Sequence, residues 1–238
     1  GIQGAGEGPA RRGGNRPAPR RHRVHKGVHV NAGPVNRIAV IDHGAGNLVS
    51  IAQGLRRAGA DVTIVDEPGD WTEFSGIVLP GVGTTGAAMD RLDAHGLSEP
   101  LREWSGPLLG ICVGLQLFFD ESEEDGSHGL GFLRGSVRRL VDTPRLPHIG
   151  WNDVTTRPDP IFADVASGTP FYFVHSFAPD PQDDAAVIGR TIYGAPFAAA
   201  VRDGSRVGVQ FHPERSGRAG LQILGNFVAI CAEAADAA

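Results

Sequence analysis

Residues 107–119 read PLLGICVGLQLFF, and this stretch decides the fold. Its first part, Pro107 to Ile111, is short and apolar, which predicts a strand buried in a parallel sheet. Its second part, from Val113 onward, predicts the first turns of a helix. The sharp turn between strand and helix would then hold Cys112.

Two glycines flank this cysteine, so Gly110, Cys112 and Gly114 form the pattern GxCxG. It is the thiol version of the GxSxG nucleophile elbow, where small neighbours let strand and helix approach closely and leave the nucleophile accessible. A helix N-terminus beneath the sulfur favours the thiolate. The pattern therefore predicts a nucleophilic cysteine.

The chain around this turn alternates strands, glycine turns and helices, which predicts an α/β domain with a mostly parallel central sheet and helices on both faces. After about Gly135 the segments shorten and alternate, which predicts additional, partly antiparallel strands. The predicted N-terminal strands are Arg37–Asp42, Asp61–Val65, Gly76–Leu79 and Pro107–Ile111, and the predicted helices are Leu48–Ala58, Gly86–Ala94, Val113–Asp120 and Gly217–Ala235.

A second motif, GVQFHPERSG at residues 208–217, carries a candidate base. If Gln210 to Glu214 is extended, side chains two residues apart point the same way, so His212 and Glu214 can touch. Pro213 removes a ladder hydrogen bond and places the pair at the end of a strand, where catalytic residues of α/β sheets gather. We therefore predict a Cys112–His212–Glu214 triad.

A third motif, LPGVGTTG at residues 79–86, is a glycine-rich turn leaving a strand. Backbone amides near Gly81 and Val82, together with that of Val113, could bind the oxyanion of a tetrahedral intermediate. A phosphate cradle is the competing interpretation. The motif lacks the Lys and Ser/Thr of a P-loop and does not have the spacing of a dinucleotide fingerprint.

Composition separates a basic start from an acidic remainder. Residues 1–36 carry seven Lys/Arg against Glu7 alone, which leaves 15 basic and 26 acidic residues and a net charge near −11 in the rest. The Gly-, Pro- and Arg-rich start cannot build a core, so we predict a disordered extension over residues 1–36, or a misplaced start site, and one domain over 37–238. It offers neither a secretory apolar region nor aromatic residues for stacking on bases, so we expect no nucleic-acid partner.

Cysteine and apolar content indicate the compartment. The chain has two cysteines, Cys112 and Cys231, which argues against a disulfide framework and for a reducing compartment such as the cytoplasm. No apolar run approaches the roughly 20 residues that span a bilayer, so we expect no membrane association.

Together, GICVGLQ, FHPE and PGVG resemble the class I (triad) glutamine amidotransferase domain over nearly all of the chain from Arg37 onward. Within that class, DHGAGN, RLPHIGWN, YFVHSF and QFHPERSG resemble the glutaminase subunit of imidazole glycerol phosphate synthase. The resemblance implies hydrolysis of glutamine without metal or cofactor. It also implies a heterodimer in which ammonia passes to a (βα)8-barrel cyclase that forms imidazole glycerol phosphate and AICAR in histidine biosynthesis.

The resemblance also implies further roles for individual residues. Gln116 and Glu124 would hold the glutamine, and Trp151, Asn152 and Tyr172 would lie at the barrel interface. Three positions depart from the family pattern, which often has Tyr at His43, Tyr at Phe177 and Lys at Arg215. Because guanidinium and ammonium hydrogen-bond differently, Arg215 could alter an ion pair at the interface.

Three alternatives remain open on sequence alone. The glutaminase of another amidotransferase, such as those for pyridoxal phosphate or anthranilate synthesis, would share the triad but lack RLPHIGWN with YFVHSF. A cysteine peptidase or DJ-1-like protein would share only the elbow. A non-catalytic scaffold would keep the triad residues misaligned. The chain order Cys, His, Glu counts against an α/β-hydrolase, whose order is nucleophile, acid, His.

Overall fold

The computed structural model describes residues 36–237. Residues 1–35, which make up nearly all of the predicted disordered extension, lie outside the described residues. Asn36 already belongs to the fold, because its carbonyl accepts a hydrogen bond of 3.0 Å from the Asp61 amide.

Twelve strands and five α-helices make up the described part of the chain. The strands are β1 (Arg37–Ile41), β2 (Asp61–Val65), β3 (Gly76–Gly81), β4 (Leu108–Cys112), β5 (Phe119–Ser122), β6 (Leu133–Arg139), β7 (His148–Thr156), β8 (Thr169–His175), β9 (Phe177–Pro181), β10 (Val187–Tyr193), β11 (Ala195–Asp203) and β12 (Arg206–Val209). The helices are α1 (Leu48–Arg57), α2 (Thr85–Ala94), α3 (Ser98–Glu103), α4 (Val113–Gln116) and α5 (Gly217–Asp236).

A nine-stranded mixed sheet forms the centre of the domain, in the order β2-β1-β3-β4-β12-β11-β10-β7-β8. The pairings from β2 to β12 are parallel, and those from β12 to β8 are antiparallel. Strands β3 and β4 are buried along their whole length, as their uninterrupted apolar sequences predict. A second sheet, β5-β6-β9, has three strands.

Helices cover both faces of the large sheet, as the sequence predicts. On one face, α5 packs Cys231 against Gly76 at the start of β3. On the other, α4 packs Leu115 against Gly208 of β12. Gly208 of β12 pairs with Gly110 of β4, which pairs in turn with Leu79 of β3, so these three residues face the same side of the sheet. Leu79 lies three residues after Gly76. An odd offset along a strand reverses the face, so α4 and α5 lie on opposite sides of the sheet.

Two predicted elements differ from the structure. The helix predicted over Val113–Asp120 ends at Gln116. The backbone that follows forms hydrogen bonds with the second sheet instead, since the Leu133 amide donates to the Phe118 carbonyl at 2.8 Å. The extended stretch predicted over Gln210–Glu214 is wrong, since Pro213–Arg215 is a turn of 3₁₀ helix. The fixed φ of proline at the first position of this turn favours the helical conformation. Helix α3 was not predicted.

Candidate active site

Cys112 occupies the predicted turn between β4 and α4. Its backbone has φ of 55° and ψ of −111°, a left-handed conformation that residues other than glycine rarely adopt. Such backbone strain persists only where the surrounding structure imposes it, and it clusters at functional sites. The side chain is buried, with 4% of its surface exposed.

The two glycines of the GxCxG pattern allow this turn because backbone segments pass directly over them. A Cβ on Gly110 would lie 2.7 Å from the Gly114 carbonyl oxygen. A Cβ on Gly114 would lie 1.8 Å from the Leu79 carbonyl oxygen in β3. Both obstacles are backbone atoms that cannot rotate away, so the small residues are a steric requirement of the elbow.

Replacing Gly114 with alanine is therefore expected to destabilise the protein by about 3 kcal/mol or more, because the new methyl group forces β3 and α4 apart. Denaturant unfolding of the variant measures this. The matched control is Gly69→Ala, where a Cβ meets nothing within 4 Å and which should unfold like the unmodified chain. Equal stability of the two variants would contradict the steric account.

His212 and Glu214 are in contact, as predicted, although the 3₁₀ turn and not a strand brings them together. The Nδ1 atom of His212 lies 2.9 Å from Oε1 of Glu214. Both side chains are buried, with 6% and 1% of their surfaces exposed. A carboxylate in this position fixes the imidazole orientation and tautomer, which leaves Nε2 as the nitrogen available for proton transfer.

Cys112 and His212 are neighbours because β4 and β12 pair in parallel, with Ile111 opposite Val209. Burial lowers the pKa of His212, but the close approach of the Cys112 sulfur and the contact with Glu214 outweigh burial and raise that pKa well above its ordinary value. Nε2 of His212 is buried and, among the described residues, has no partner at ordinary hydrogen-bond geometry. The imidazole of His212 thus favours its charged form beside the sulfur, which suits the role of a proton donor to a reacting group at Cys112.

A cavity of about 250 Å³ opens at the sulfur. Its size suits a molecule smaller than the drug-sized ligands of ordinary pockets. Its lining residues come from the glycine turn after β3, the elbow, the loop after β5 and the end of β8; they are Val82, Gly83, Cys112, Val113, Gln116, Glu124, Val174, His175, Ser176 and Phe177.

The predicted oxyanion residues gather beside this cavity. Val82 and Val113 line it. Gly81 lies just behind, opposite Cys112 in the β3–β4 register, and a Cβ on it would come within 2.9 Å of the Val113 Cβ. The glycine turn and the first residue of α4 therefore lie against each other beside Cys112.

Both predicted glutamine-binding residues also line the cavity. Gln116 is buried at the end of α4, and its Nε2 donates to the Phe177 carbonyl at 3.0 Å. Glu124 is half-buried at the rim; its burial and the neighbouring charge of Asp125 raise the pKa of its carboxyl.

Sequence reasoning missed two polar residues of the site. Gln210 is fully buried, and its Nε2 lies 3.6 Å from the Cys112 sulfur. His175 lines the cavity, and its Nδ1 donates to the Phe177 carbonyl at 2.8 Å. Both residues lie inside the quoted motifs QFHPERSG and YFVHSF, so the sequence contained the signal, but nothing local distinguished their side chains from ordinary core packing.

Three of the four predicted interface residues form an exposed cluster around the β7–β8 pair, which we call the aromatic cluster: Trp151, Tyr172 and Arg215. Trp151 is 56% exposed, and its ring contacts that of Tyr172 edge to face at 6.1 Å between centroids. The Arg215 guanidinium lies 4.4 Å from the centroid of the Tyr172 ring. Asn152 instead donates from Nδ2 to the Ile192 carbonyl at 2.8 Å.

Comparison with known proteins identifies the family. A family model described as glutamine amidotransferase class-I matches residues 39–231. The imidazole glycerol phosphate synthase subunit HisH of Moorella thermoacetica is 47% identical over 195 residues, which cover 80% of this chain and 93% of that protein. The chain belongs to the HisH group of class-I glutamine amidotransferases. The HisH subunit of Synechococcus sp. (strain JA-3-3Ab) is 45% identical, covering 85% of this chain and 97% of the relative.

The fold agrees with this family. A solved glutamine amidotransferase superposes with a TM-score of 0.66 at 18% identity, covering 82% of this chain and 98% of its own. Membership makes the chain a glutamine amidotransferase subunit, and the word subunit in the names of its HisH relatives implies a partner synthase subunit. In the part of the chain that the structure describes, no helix combines the length and apolarity needed to cross a membrane.

The structure shows the surroundings of two residues that depart from the HisH pattern, His43 and Phe177. His43 is fully buried, and its Nε2 lies 2.8 Å from the Pro80 carbonyl at the start of the glycine turn. Burial lowers the pKa of His43, so the ring stays neutral and donates this bond. At Phe177 the backbone carbonyl makes the contacts to Gln116 and His175, so the missing hydroxyl removes neither bond.

Proposed function

We propose that this chain hydrolyses glutamine through Cys112, His212 and Glu214. In this proposal the ammonia passes to a (βα)8-barrel cyclase subunit that forms imidazole glycerol phosphate and AICAR in histidine biosynthesis. The observation that carries the proposal is the strained Cys112 at the cavity floor, beside a buried imidazole that contacts a carboxylate at 2.9 Å. Nucleophile, base and orienting group are all in place for covalent catalysis.

In the acylation step, the Cys112 thiolate attacks the carboxamide carbon of glutamine, and the carbonyl oxygen becomes an oxyanion. Backbone amides of the glycine turn and of Val113 stabilise this charge. As the intermediate collapses, His212 donates its proton to the departing nitrogen, and ammonia leaves. A thioester between Cys112 and the glutamyl group remains.

In the deacylation step, the neutral His212 takes a proton from a water molecule that attacks the thioester carbon. Collapse of the second tetrahedral intermediate expels the Cys112 thiolate and releases glutamate. The proton stays on His212, which restores the thiolate–imidazolium pair. Glu214 stabilises the imidazolium in both steps through its contact with Nδ1.

The cavity accounts for the choice of a small amino acid. Glu124 at the rim offers a carboxylate to the α-ammonium group of glutamine, and the polar groups of Gln116 and Ser176 offer hydrogen bonds to the rest of the molecule. An α-ammonium beside Glu124 would also compensate for the burial that raises the pKa of this carboxyl.

The aromatic cluster supplies the surface for the barrel partner. Exposed apolar side chains continue beside it, at Ile149 on the same strand as Trp151 and at Ile192 on the neighbouring strand β10, which are 57% and 68% exposed. Exposed apolar area beside aromatic and arginine side chains is typical of interfaces. Because ammonia in neutral bulk water is protonated and no longer nucleophilic, delivery requires a partner seated close to Cys112.

A short hydrogen-bonded path joins this surface to the triad. The His212 amide donates to the Tyr172 carbonyl at 2.9 Å. The Ser216 hydroxyl accepts from the Tyr172 amide at 2.9 Å and donates to the His212 carbonyl at 2.7 Å. A partner docked on Tyr172 therefore sits one residue contact away from the catalytic base.

The test is glutamine hydrolysis by the chain alone and with a barrel cyclase subunit, with formation of the imidazole product followed in the same reaction. We expect glutamine to support product formation only when both subunits are present. Failure of a competent cyclase to use glutamine in the presence of this chain would refute the proposal.

The interface proposal predicts that Trp151→Ala weakens binding of the barrel subunit by about tenfold to a hundredfold. Tryptophans that become buried when two proteins bind contribute much of the binding energy. Titration of labelled barrel subunit measures the dissociation constant. Ile64→Ala serves as the control, because Ile64 is 42% exposed on β2 at the opposite edge of the sheet. Equal affinities of the two variants for the barrel subunit would show that the interface does not include Trp151 on β7.

A further inference from the structure

Gln210 follows β12 directly, where it stands beside the cysteine that ends β4. Its side chain is fully buried and lies between Cys112 and Gln116. Nε2 of Gln210 lies 3.6 Å from the Cys112 sulfur, within hydrogen-bond range for sulfur, and Oε1 lies 3.1 Å from Nε2 of Gln116. Both ends of the buried amide are therefore engaged.

The contacts fix which end of the amide faces the sulfur. The Phe177 carbonyl can only accept hydrogen bonds, so the group of Gln116 that lies 3.0 Å from it is the amide nitrogen. The same nitrogen contacts Gln210, which must therefore present its oxygen to Gln116. The remaining end of Gln210, its N–H donor, faces the sulfur.

Two buried histidines hold the far end of this chain of hydrogen bonds. His175 donates from Nδ1 to the Phe177 carbonyl at 2.8 Å, and its Nε2 lies 3.2 Å from Nδ1 of His148. Burial lowers the pKa of His175 to about 3, so the ring is neutral and Nε2 accepts from His148. The Phe177 carbonyl thus has two donors and holds a fixed position for Gln116.

We propose that Gln210 is a further residue of the active site, which donates an N–H to the Cys112 thiolate and holds it ready for attack. The inference rests on the proposed function, because it takes Cys112 as the nucleophile. A hydrogen bond to the charged form favours that form, and an amide does so without competing for the proton that His212 carries. The same N–H stabilises the thiolate again when it leaves the thioester.

A purely structural role makes a different prediction. If Gln210 only kept Gln116 in place, its loss would impair glutamine binding and leave the ionisation of Cys112 unchanged. Alkylation by iodoacetamide separates the two roles, because this small reagent needs the thiolate but not the glutamine-binding groups. The rate at Cys112 is followed against pH in the full chain, and peptide mapping separates it from Cys231.

For Gln210→Met, which keeps length and burial but removes the donor, we expect the midpoint of the alkylation profile to rise by about one pH unit. The rate at neutral pH should fall about tenfold, the usual size of a lost hydrogen bond to a charged group. If the methionine variant folds poorly, Gln210→Leu, which also lacks the donor, takes its place and should show the same shift. Gln222→Met on the exposed face of α5 is the matched control, and its profile should follow the unmodified chain.

Gln116→Met completes the comparison. It should raise the KM for glutamine and shift the alkylation midpoint by much less than Gln210→Met does, because the Gln210 amide loses its partner at Oε1 but keeps its N–H beside the sulfur. An unshifted midpoint in folded Gln210→Met or Gln210→Leu overturns the inference, even if glutamine turnover falls. The proposed function has a separate test in Cys112→Ala: if that variant still uses glutamine, Cys112 is not the nucleophile, whatever the alkylation profiles are.

Discussion

Replacing Cys112 with alanine is expected to reduce glutamine-dependent synthesis by at least about 10³-fold while ammonium-dependent synthesis by the partner subunit stays intact. The substitution removes the proposed nucleophile, for which the described site offers no substitute, and loss of a triad nucleophile lowers turnover by several orders of magnitude. It removes little volume, so the fold and the docking surface remain. Product formation with glutamine and with ammonium as alternative nitrogen sources measures both activities.

The second cysteine provides the matched control. Cys231 is fully buried on α5 against Gly76, and burial raises the pKa of its thiol far above the ordinary value. Cys231→Ala should therefore keep both activities. Loss of ammonium-dependent synthesis in Cys112→Ala would indicate damage to the fold or the interface, and the triad assignment would lose its support.

Replacing Glu214 with glutamine is expected to lower glutamine turnover by about 10²–10⁴-fold, the range seen when the orienting carboxylate of a triad is neutralised. Glu214 raises the pKa of His212, so removal of its charge lowers that pKa and reduces the fraction of His212 present as the imidazolium that protonates the departing nitrogen. The side-chain amide introduced by Glu214→Gln can also donate a hydrogen bond to Nδ1 of His212, which would stabilise the wrong tautomer of the imidazole.

Glutamine hydrolysis in the assembled complex, measured against pH, checks this prediction. Turnover should fall, and the limb of the pH–rate profile that reports the ionisation of His212 should shift to lower pH. Glu233→Gln, an exposed position on α5, is the control and should behave like the unmodified chain. Unchanged turnover in Glu214→Gln would exclude the carboxylate from the mechanism.

The sequence by itself determined the elements whose signals are local. Apolar runs with their flanking glycines located β1, β2, β3 and β4, and the alternation of strands, glycine turns and helices located α1 and α2. The last segment of the chain was expected to be the closing helix α5, and all of these bounds agree within two residues. The elbow is equally local, because Gly110, Cys112 and Gly114 carry the steric requirement in five consecutive residues. The contact of His212 with Glu214 also follows from short spacing, although the backbone between them is a 3₁₀ turn and not a strand.

Only the tertiary structure decided what surrounds these residues. Strands β4 and β12 are neighbours although seven strands lie between them in the chain, and this pairing brings Cys112 to His212. Helix α4 stops at Gln116 because distant residues of β6 bind the following backbone, which no local pattern reveals. The orientation of Gln210 depends on a carbonyl at Phe177 and two histidines on other strands. Hydrogen bonds of this kind join residues far apart in sequence, so their geometry exists only once the sheet has formed.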